Sequence, residues 1–508
     1  MDDTAQTTWL LLPLLSLLFL LLLHNILATF TVNRDDHRLP PSPPALPIIG
    51  HLHLVGSLPH VSLRRLAAKH GGRDFMLLRL GALPPTLVAS SPRAAEAVLR
   101  THDHVFASRP RTVLADVVFY GSRDIGFAPY GEHWRKARKL VTTHLLSAKK
   151  VQMLQKAREE EVSLVMAKIS KAATAGTPVD IGQILSSFTN DMMCRTVSGK
   201  STSDSKQKKI FQDLVHETSL LIGCFNIEEY FPVLARIGIA GKVMRAKAER
   251  LKKRWDELLE KLIDEHENEY NSNLASDQSE DDFVNILLSV RQEYGLNREH
   301  VKAILQDVFF GGIDTSAQVL ESTIAELMRK PQLLKKLQDE VRACVPKGQE
   351  MVCEVDASKM VYLKAVIKEG LRLHPVAPLL APHISMADCK IDEYVIPSGT
   401  RVLVNVWAIG RDARFWDKAE EFIPERFVDS MSSVNFRGND YQYLPFGSGR
   451  RMCPGMNFGI AVVEIMLANL MWKFDWTLPR GMEIDMSEVF GLSVHRKQKL
   501  LLIPEQRV

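Results

Sequence analysis

The residue best suited to metal chemistry is Cys453, which lies in a glycine-rich loop at residues 446–455. The loop reads Phe-Gly-Ser-Gly-Arg-Arg-Met-Cys-Pro-Gly and precedes an apolar stretch at residues 456–474. Pro454 is typical of the first turn of a helix, so we expect the cysteine to lie at a helix N-terminus. That position and the nearby Arg451 both favour a thiolate over a thiol. The sequence therefore predicts a thiolate at Cys453.

Such a thiolate can be a catalytic nucleophile, a zinc ligand or an iron ligand. Zinc needs further ligands, and no other cysteine or histidine lies within a few residues of Cys453. A nucleophile needs a base, which the local sequence does not supply. A single thiolate in a glycine-rich loop suits the axial position of a macrocycle that provides its own four nitrogens. The pattern favours haem iron.

The second candidate for chemistry is the adjacent acid and hydroxyl of Asp314 and Thr315. They lie in the middle of a helix predicted over residues 297–330, with an asparagine at its start and a proline after its end. Gly311 and Gly312 precede them, and each glycine costs a helix about 1 kcal/mol relative to alanine. Close approach of a ligand would explain that cost, and so would close packing against another helix.

Two further pairs of residues have spacings that bring both side chains to one face of a helix. Trp134 and Arg138 are four residues apart, and Glu369 and Arg372 are three apart. By themselves these spacings are also typical of a basic surface helix with one buried tryptophan and of a solvated ion pair.

The cysteine loop decides between these interpretations, because its pattern Phe-x-x-Gly-x-Arg-x-Cys-x-Gly resembles the haem-binding signature of the cytochrome P450 family. The resemblance implies that the chain binds haem b and that Cys453 is the protein ligand to its iron. It implies the following haem-binding residues: Trp134, Arg138, Gly311, Gly312, His383, Phe446, Gly449, Arg451, Cys453 and Gly455.

The same resemblance assigns roles outside the loop. The Gly-Gly-Ile-Asp-Thr segment is similar to the family's oxygen-binding motif, which implies that Thr315 and Asp314 are catalytic. The hydroxyl would direct protons to oxygen, and the acid would supply protons from solvent. His383 stands where many relatives have an arginine near a haem propionate.

A structural triad is also implied. Glu369 and Arg372 are similar to the family's buried pair, which Arg426 completes from a Phe-Ile-Pro-Glu-Arg-Phe segment. The triad would keep the cysteine loop rigid and take no part in the chemistry.

The resemblance implies a mainly α (α+β) fold, a helix-rich cytochrome P450 domain with small β-sheets. Apolar periodicity predicts helices, strands and two polar surface loops within it. The helices are 242–266, 297–330 and 331–343, the strands 76–80, 85–89 and 400–404, and the loops 198–209 and 267–282.

The N-terminus predicts a membrane anchor. Residues 1–33 are rich in leucine, with acidic residues before the apolar span and arginines after it, which favours a single-pass signal-anchor over a cleaved signal peptide. Residues 34–50 form a proline-rich hinge, and residues 51–508 form the haem-thiolate catalytic domain. We expect an endoplasmic reticulum protein that contacts membrane lipid and has its catalytic domain in the cytosol.

The whole set of motifs predicts a monooxygenase that inserts one atom of O2 into a small apolar plant metabolite. The chain has no Gly-x-Gly-x-x-Gly nucleotide motif, so its electrons would come from NADPH through a flavoprotein, the NADPH–cytochrome P450 reductase. The exposed face beside Trp134, formed by Arg135, Lys136 and Lys139, would meet an acidic partner. Residues 101–110 look most like grass enzymes that oxidise indole-derived defence compounds.

Several function classes are excluded or remain as alternatives. The net charge of +4 is small and its positive residues are scattered, which argues against a nucleic-acid partner. Six widely spaced cysteines without a C-x-x-C pair argue against a disulfide-built secreted protein. A haem-thiolate isomerase or dehydratase that needs neither O2 nor NADPH remains open, as does a non-catalytic haem-binding membrane protein.

Apolar-leaning segments are expected to line the substrate pocket. The predicted pocket walls are residues 112–120, 220–225, 309–312, 376–380 and 492–494.

Overall fold

The computed structural model describes Pro13, Ser16 and residues 39–199, 205–237, 239–271 and 282–507. Apart from Pro13 and Ser16, the predicted anchor at residues 1–33 lies outside the described residues. Within the described ranges, none of the helices combines the length and the apolar character that a membrane crossing requires.

Helices make up most of the described chain, and their bounds agree with a mainly helical α+β fold. The α-helices are Pro59–Lys69, Pro92–Glu96, Asp103–Phe106, Val113–Val118, Glu132–Leu140, Ala148–Met153, Gln155–Ala175, Ile181–Ser198, Ser205–Gly223, Ile227–Tyr230, Pro232–Ile237, Ile239–Asn271, Phe283–Val290, Arg298–Arg329, Pro331–Cys344, Glu354–Ala357, Val361–Leu373, Val406–Ile409 and Met456–Lys473.

The strands are short and form small sheets near the two ends of the domain. They are β1 (Phe75–Leu78), β2 (Thr86–Ala89), β3 (Val179–Asp180), β4 (His383–Ile384), β5 (Cys389–Ile391), β6 (Tyr394–Ile396), β7 (Arg401–Val404), β8 (Phe474–Thr477), β9 (Glu488–Val489), β10 (His495–Arg496) and β11 (Leu501–Gln506). The largest sheet has the order β1-β2-β7-β4, with β2 and β7 parallel. The three strands predicted from the sequence are therefore neighbours in one sheet.

The helix Arg298–Arg329, called the central helix below, is buried along most of its length. Asn297 caps it, since its Oδ1 accepts a hydrogen bond of 3.0 Å from the His300 N–H. The helix Ile181–Ser198 packs along it. A Cβ on Gly312 would lie 2.4 Å from Sδ of Met193 on that neighbour, so the glycine permits the close approach of the two helices.

The helix Met456–Lys473, called the post-cysteine helix below, carries eleven buried residues along its length. It packs against the central helix and against Val361–Leu373. These three helices belong to one apolar core, and a smaller apolar cluster lies around β2 and β7. The core therefore fixes the cysteine loop, which precedes the post-cysteine helix, relative to the centre of the central helix.

Both polar stretches predicted as loops are partly helical. Ser205–Gly223 begins inside the stretch 198–209, and Ile239–Asn271 continues into the stretch 267–282. Tertiary ion pairs explain the second extension, because Glu267 accepts hydrogen bonds of 2.8 Å from both Arg291 and Arg298. These pairs join the end of the helix to the following segment, which local composition could not reveal.

The described part of the proline-rich hinge lies against the catalytic domain. The Leu77 N–H of β1 donates to the carbonyl of Pro41 at 2.9 Å, and Nε2 of His51 lies 2.8 Å from the carbonyl of Pro43. Gly50 has φ +60°, and a Cβ there would lie 2.3 Å from the carbonyl oxygen of Arg79. The hinge from residue 39 onward is thus packed against the first sheet.

Candidate active site

The cysteine loop turns twice through left-handed backbone, at Gly447 with φ +69° and at Gly449 with φ +67°. A Cβ on Gly449 would lie 2.3 Å from the carbonyl oxygen of Leu99, so a larger residue would push the loop away from its neighbour. The Cys453 N–H then donates to the carbonyl of Phe446 at 2.9 Å, which closes the loop. The glycines of the sequence pattern are therefore needed for the shape of the loop.

The cysteine lies just before the post-cysteine helix, which begins at Met456 after the N-cap Gly455. Pro454 therefore precedes the helix and does not occupy the first helical position that the sequence predicted for it. Burial raises the pKa of the Cys453 thiol, while the N–H groups of Gly455 and Met456 and the charge of Arg138 lower it. The effect of burial on the pKa of the Cys453 thiol is larger than the effect of the helix N-terminus. The direction of the shift is therefore opposite to the one that the sequence predicted. A metal ion bound to the sulfur would remove the proton, as it does from coordinating thiols generally.

Cys453 and most of the predicted haem-binding residues line one cavity of about 370 Å³. The predicted residues on its wall are Trp134, Arg138, Gly311, Gly312, Thr315, His383, Phe446, Arg451, Cys453 and Gly455. Gly449 and Asp314 are not among the described residues that line it. In the described part of the chain, no cluster of three histidine, cysteine or acidic side chains could hold a metal by itself.

Basic side chains gather at one end of the cavity. Arg451 donates hydrogen bonds to the carbonyls of Ala107 at 2.6 Å and Ala128 at 2.7 Å, and its guanidinium lies 4.1 Å from the ring centroid of Trp134. Arg138 donates to the carbonyl of Met452, next to the cysteine. The two arginines and the tryptophan are thus held in fixed positions by backbone carbonyls and by each other.

A third arginine, Arg109, joins this end of the cavity and was missed as a site residue by sequence reasoning. It donates to the carbonyls of Ala381 at 2.6 Å and Gly126 at 3.1 Å. It lies inside the stretch 101–110, which the sequence flagged only as similar to grass enzymes. A lone arginine in that stretch gave no signal of burial in a cavity wall.

His383 lies beside Arg109 and does not add positive charge. Burial and the charge of Arg109 lower the pKa of His383 well below its ordinary value. Its Nδ1 lies 2.7 Å from the carbonyl of Phe106, so Nδ1 carries the proton of the neutral ring. Arg109 therefore supplies the positive charge that an arginine at position 383 would have supplied.

The charges at this end of the cavity fit an anionic group. Burial lowers the pKa of Arg109 to about 9 and that of Arg451 to about 10, which reflects positive charge held away from water. The acid that acts on both is Asp124, and burial together with Asp307 raises the pKa of Asp124 itself. Buried charges require partners. The two propionates of a haem, in a cavity that also exposes one cysteine sulfur, meet this requirement.

The central helix forms the wall that carries the acid and the hydroxyl. A Cβ on Gly311 would meet nothing within 4 Å, so this glycine leaves open space at the cavity. Oγ1 of Thr315 donates to the carbonyl of Gly311 at 2.6 Å. Of the two explanations for the glycines, Gly311 agrees with space for a ligand and Gly312 with helix packing.

Asp314 is turned away from the cavity, towards the C-terminal segment. Its Oδ2 accepts a hydrogen bond from Oγ of Ser493 and lies 3.3 Å from Nε2 of His495. Sequence reasoning missed both partners, because a serine and a histidine so far along the chain carry no local pattern. Thr315 faces the cavity and Asp314 faces a polar cluster.

The Glu–Arg–Arg triad is formed and lies away from the cavity. Oε2 of Glu369 accepts from Nε of Arg372 at 2.7 Å, and Oε1 accepts from Nε of Arg426 at 3.1 Å. Arg372 also donates to the carbonyls of Ala419 at 2.7 Å and Glu421 at 2.9 Å. The triad joins Val361–Leu373 to the long segment before the cysteine loop, as a structural element.

Comparison with known proteins identifies the family to which this architecture belongs. The profile of the family described as Cytochrome P450 matches residues 40–503. The chain belongs to the cytochrome P450 family.

Relatives of this P450 include plant monooxygenases. It is 54% identical over 474 residues to indole-2-monooxygenase of Zea mays, with 92% of this chain and 87% of the relative covered. It is 51% identical over 479 residues to 3-hydroxyindolin-2-one monooxygenase of Zea mays, with coverages of 92% and 89%. A solved zebrafish cytochrome P450 with progesterone has a TM-score of 0.75 at 26% identity and covers 88% of this chain and 99% of that chain.

These similarities establish the reaction class. The P450 is a haem-dependent monooxygenase that uses O2 and NADPH-derived electrons delivered through a reductase. They support this function over the isomerase or dehydratase and over the non-catalytic haem protein. When bound, the haem would supply the iron that activates O2, and Cys453 would hold that iron through a thiolate that donates electron density to it.

Proposed function

We propose that this P450 oxidises a small aromatic plant metabolite of the indole type, with NADPH–cytochrome P450 reductase as its electron donor. The observation that carries the proposal is that Cys453 and Thr315 line the same cavity. The maize relatives named above act on indole-type compounds according to their names, which supports this substrate class.

The cavity wall suits a flat apolar molecule. Phe127 and Phe310 line it, and Phe119 behind them stacks on Phe127 with ring centroids 5.0 Å apart. Aromatic rings favour offset and edge contacts with other aromatic rings. A small aromatic substrate can therefore lie against these side chains near Thr315.

A second cavity of about 190 Å³ adjoins the first and supports a route for the substrate. It is lined by segments that the sequence predicted as pocket walls, including Thr112, Ile222 and Leu379. The two cavities share Arg109, Phe127, Ala377, Leu380 and Leu492. Apolar side chains dominate both walls, so a small apolar substrate meets little desolvation cost on its way to Thr315.

Residues of this chain would bind the substrate, hold the haem and move protons. The cavity residues orient the substrate and exclude water, while Thr315 holds a hydroxyl at the wall near the site of oxygen activation. Asp314 holds a carboxylate behind that wall, where it can pass protons inward. The basic groups at the other end of the cavity hold the haem through its carboxylates.

The proposal is tested with the full-length protein, its reductase and NADPH under ¹⁸O2. Indole, indolin-2-one and 3-hydroxyindolin-2-one are the candidate substrates, and an acyclic monoterpene alcohol of similar size is the control. We expect NADPH-dependent incorporation of one ¹⁸O atom into an indole-type compound, at a rate at least about tenfold above the control, which is about 1.4 kcal/mol of discrimination. Turnover of the terpene alone would contradict the substrate class, and turnover without NADPH would contradict the reaction.

We also propose that residues 1–33 anchor the protein in the endoplasmic reticulum with the catalytic domain in the cytosol. The leucine-rich span and the arginines that follow it support this orientation. Arg135, Lys136 and Lys139 have exposed side chains on the helix that carries Trp134, which suits docking of an acidic reductase surface. Lys139→Glu should raise the KM for reductase and make it less dependent on salt. An unchanged KM would exclude this face from docking.

A further inference from the structure

Asp314 is the end of a short hydrogen-bonded chain that includes a serine and a histidine. Oγ of Ser493 donates to Oδ2 of Asp314, and the same Oγ lies 3.2 Å from Nε2 of His495. When Nε2 carries a proton, it can donate to the serine oxygen while the serine hydroxyl donates to the carboxylate. The chain therefore has a direction, from His495 through Ser493 to Asp314.

This chain lies between the protein surface and the wall of the large cavity. Asp314 and His495 each expose 14% of their side chains, whereas Ser493 is buried. The exposed His216 has its ring 5.8 Å from that of His495. Since Thr315 faces the cavity and Asp314 faces the chain, the two adjacent residues connect the cavity to the surface.

The position of Ser493 is fixed by the helix Ser205–Gly223. Oγ of Ser219 lies 2.9 Å from Oγ of Ser493, and the Leu492 N–H donates to the carbonyl of Ser219 at 3.3 Å. A Cβ on Gly223 would lie 2.4 Å from the backbone of Gly491, which shows how closely the two segments approach. The serine oxygen can accept from Ser219 and still give its own proton to Asp314.

We propose that His495 and Ser493 are the proton-supply residues of this monooxygenase and act through Asp314. The imidazolium of His495 gives its Nε2 proton to Ser493 Oγ as the Ser493 hydroxyl proton moves to the Asp314 carboxylate. This leaves a neutral His495 and a protonated Asp314, and His495 then takes a new proton from solvent. No electron is transferred in these steps. The inference rests on the proposed function, in which Asp314 and Thr315 deliver protons during oxygen activation.

Two other titratable groups face this chain. His216 faces His495 from the neighbouring helix. Glu321 lies two turns further along the same face of the central helix. The charge of Asp314 acts on it, and its Oε1 is 3.6 Å from Nη1 of Arg496. Burial raises the pKa of Glu321 to about 7. These groups set the electrostatic surroundings, while Asp314 accepts its hydrogen bond from Ser493 and has His495 Nε2 at 3.3 Å.

The test compares four variants of the full-length protein with its reductase. His495→Gln keeps a polar side chain that cannot take up and release a proton. Ser493→Ala removes the hydroxyl but leaves the histidine beside Asp314. Ser493→Thr keeps a hydroxyl. His144→Gln is the control, because His144 contacts the hydroxyl of Tyr294 at 3.1 Å, in another part of the fold. Haem content and circular dichroism show whether each variant is folded.

The measured quantities are NADPH consumed, product formed, peroxide formed and the solvent deuterium isotope effect on turnover. We expect His495→Gln and Ser493→Ala to slow substrate-dependent turnover by about 100-fold, at the lower end of proton-transfer contributions, and to enlarge the isotope effect. Ser493→Thr should recover part of the rate lost in Ser493→Ala, and His144→Gln should match the parent.

Parent-like turnover and isotope effects in both His495→Gln and Ser493→Ala would overturn the inference. A loss of rate without a change in isotope effect would also overturn it, because that result is expected of a purely structural role. Both outcomes require a parent that turns over with NADPH. A parent without NADPH-dependent turnover contradicts the proposed function itself, so the two failures are distinct.

Discussion

The adjacent side chains of Asp314 and Thr315 face different parts of this P450, although the sequence predicted one joint role for them. Thr315 lines the cavity and donates to the carbonyl of Gly311, while Asp314 accepts from Ser493 behind the wall. Adjacent helix residues point about 100° apart, so one turn of helix can serve both the cavity and the proton route.

Replacement of Cys453 tests the metal ligand. We expect Cys453→Ala to lose the red-shifted Soret band of the reduced, carbon-monoxide-bound protein, because no other described cysteine lines the large cavity. Cys194→Ala and Cys344→Ala are the controls and should keep the band. A Cys453→Ala protein that retains it would contradict the assignment.

Replacement of Thr315 tests the direction of proton delivery. Thr315→Ala should still bind haem and substrate and consume NADPH, but the product formed per NADPH should fall by about 10- to 100-fold, with peroxide rising in compensation. Asp314→Asn should slow the whole cycle, since it impairs the supply of protons. The assay measures NADPH, peroxide and product together. Parent-like coupling in Thr315→Ala would mean that the hydroxyl has no such role.

At the scale of elements, the two glycines of the central helix offer a matched comparison. Gly311→Ala should raise the free energy of unfolding by up to about 1 kcal/mol through helix propensity, and its methyl group should weaken substrate binding. Gly312→Ala should instead cost about 1–2 kcal/mol, because Met193 must move to admit the new methyl group. Denaturant unfolding and substrate titration measure both effects. Equal stability changes in the two variants would contradict the packing role of Gly312.

We expect the Glu–Arg–Arg triad to contribute more to the free energy of unfolding than either glycine of the central helix. Glu369→Gln leaves Arg372 and Arg426 buried without a counter-charge, so we expect a loss of about 3–5 kcal/mol in the free energy of unfolding and a low haem content. Glu96→Gln is the control, since this glutamate forms an exposed pair with Arg100 and should cost less than about 1 kcal/mol. Similar stabilities of the two variants would show that the triad is not a structural element.

At the scale of the whole molecule, removal of residues 1–33 should release the body from membranes only in part. The apolar stretch at residues 231–243 predicts a second membrane contact that would remain after truncation. It includes Phe231 and Val243, and the exposed fraction of Val243 is 57%. Val233 within the same stretch is 66% exposed. Leu234, Ile237 and Ile239, also predicted for this contact, have side chains outside the described residues. Exposed apolar side chains on one region suit contact with lipid.

The measurement is the fraction of truncated protein that sediments with vesicles in low salt. Val233→Asp together with Val243→Asp in the truncated protein should abolish the remaining association, and the same change at exposed Val355 is the control. Complete solubility of the truncated protein before these changes would exclude a second contact.

The amino-acid sequence by itself determined the features that depend on neighbours along the chain. The cysteine loop, the caps of the central helix and the exposed face beside Trp134 follow from backbone preferences and helical spacing, which act within a few residues. The family resemblance of these motifs also predicted the haem, the thiolate ligand and the triad. Helix ends were less certain, because ion pairs such as those of Glu267 extend a helix beyond its local pattern.

The tertiary structure alone decided which distant side chains meet. Arg109 takes the place of an arginine at His383, although 274 positions separate the two residues in the sequence. Ser493 and His495 reach Asp314 only because the C-terminal segment folds back onto the central helix. Burial also lowers the pKa of His383 well below its ordinary value. Contacts between distant segments depend on the packing of the whole core, and desolvation depends on what that packing excludes, so neither is encoded in a local pattern.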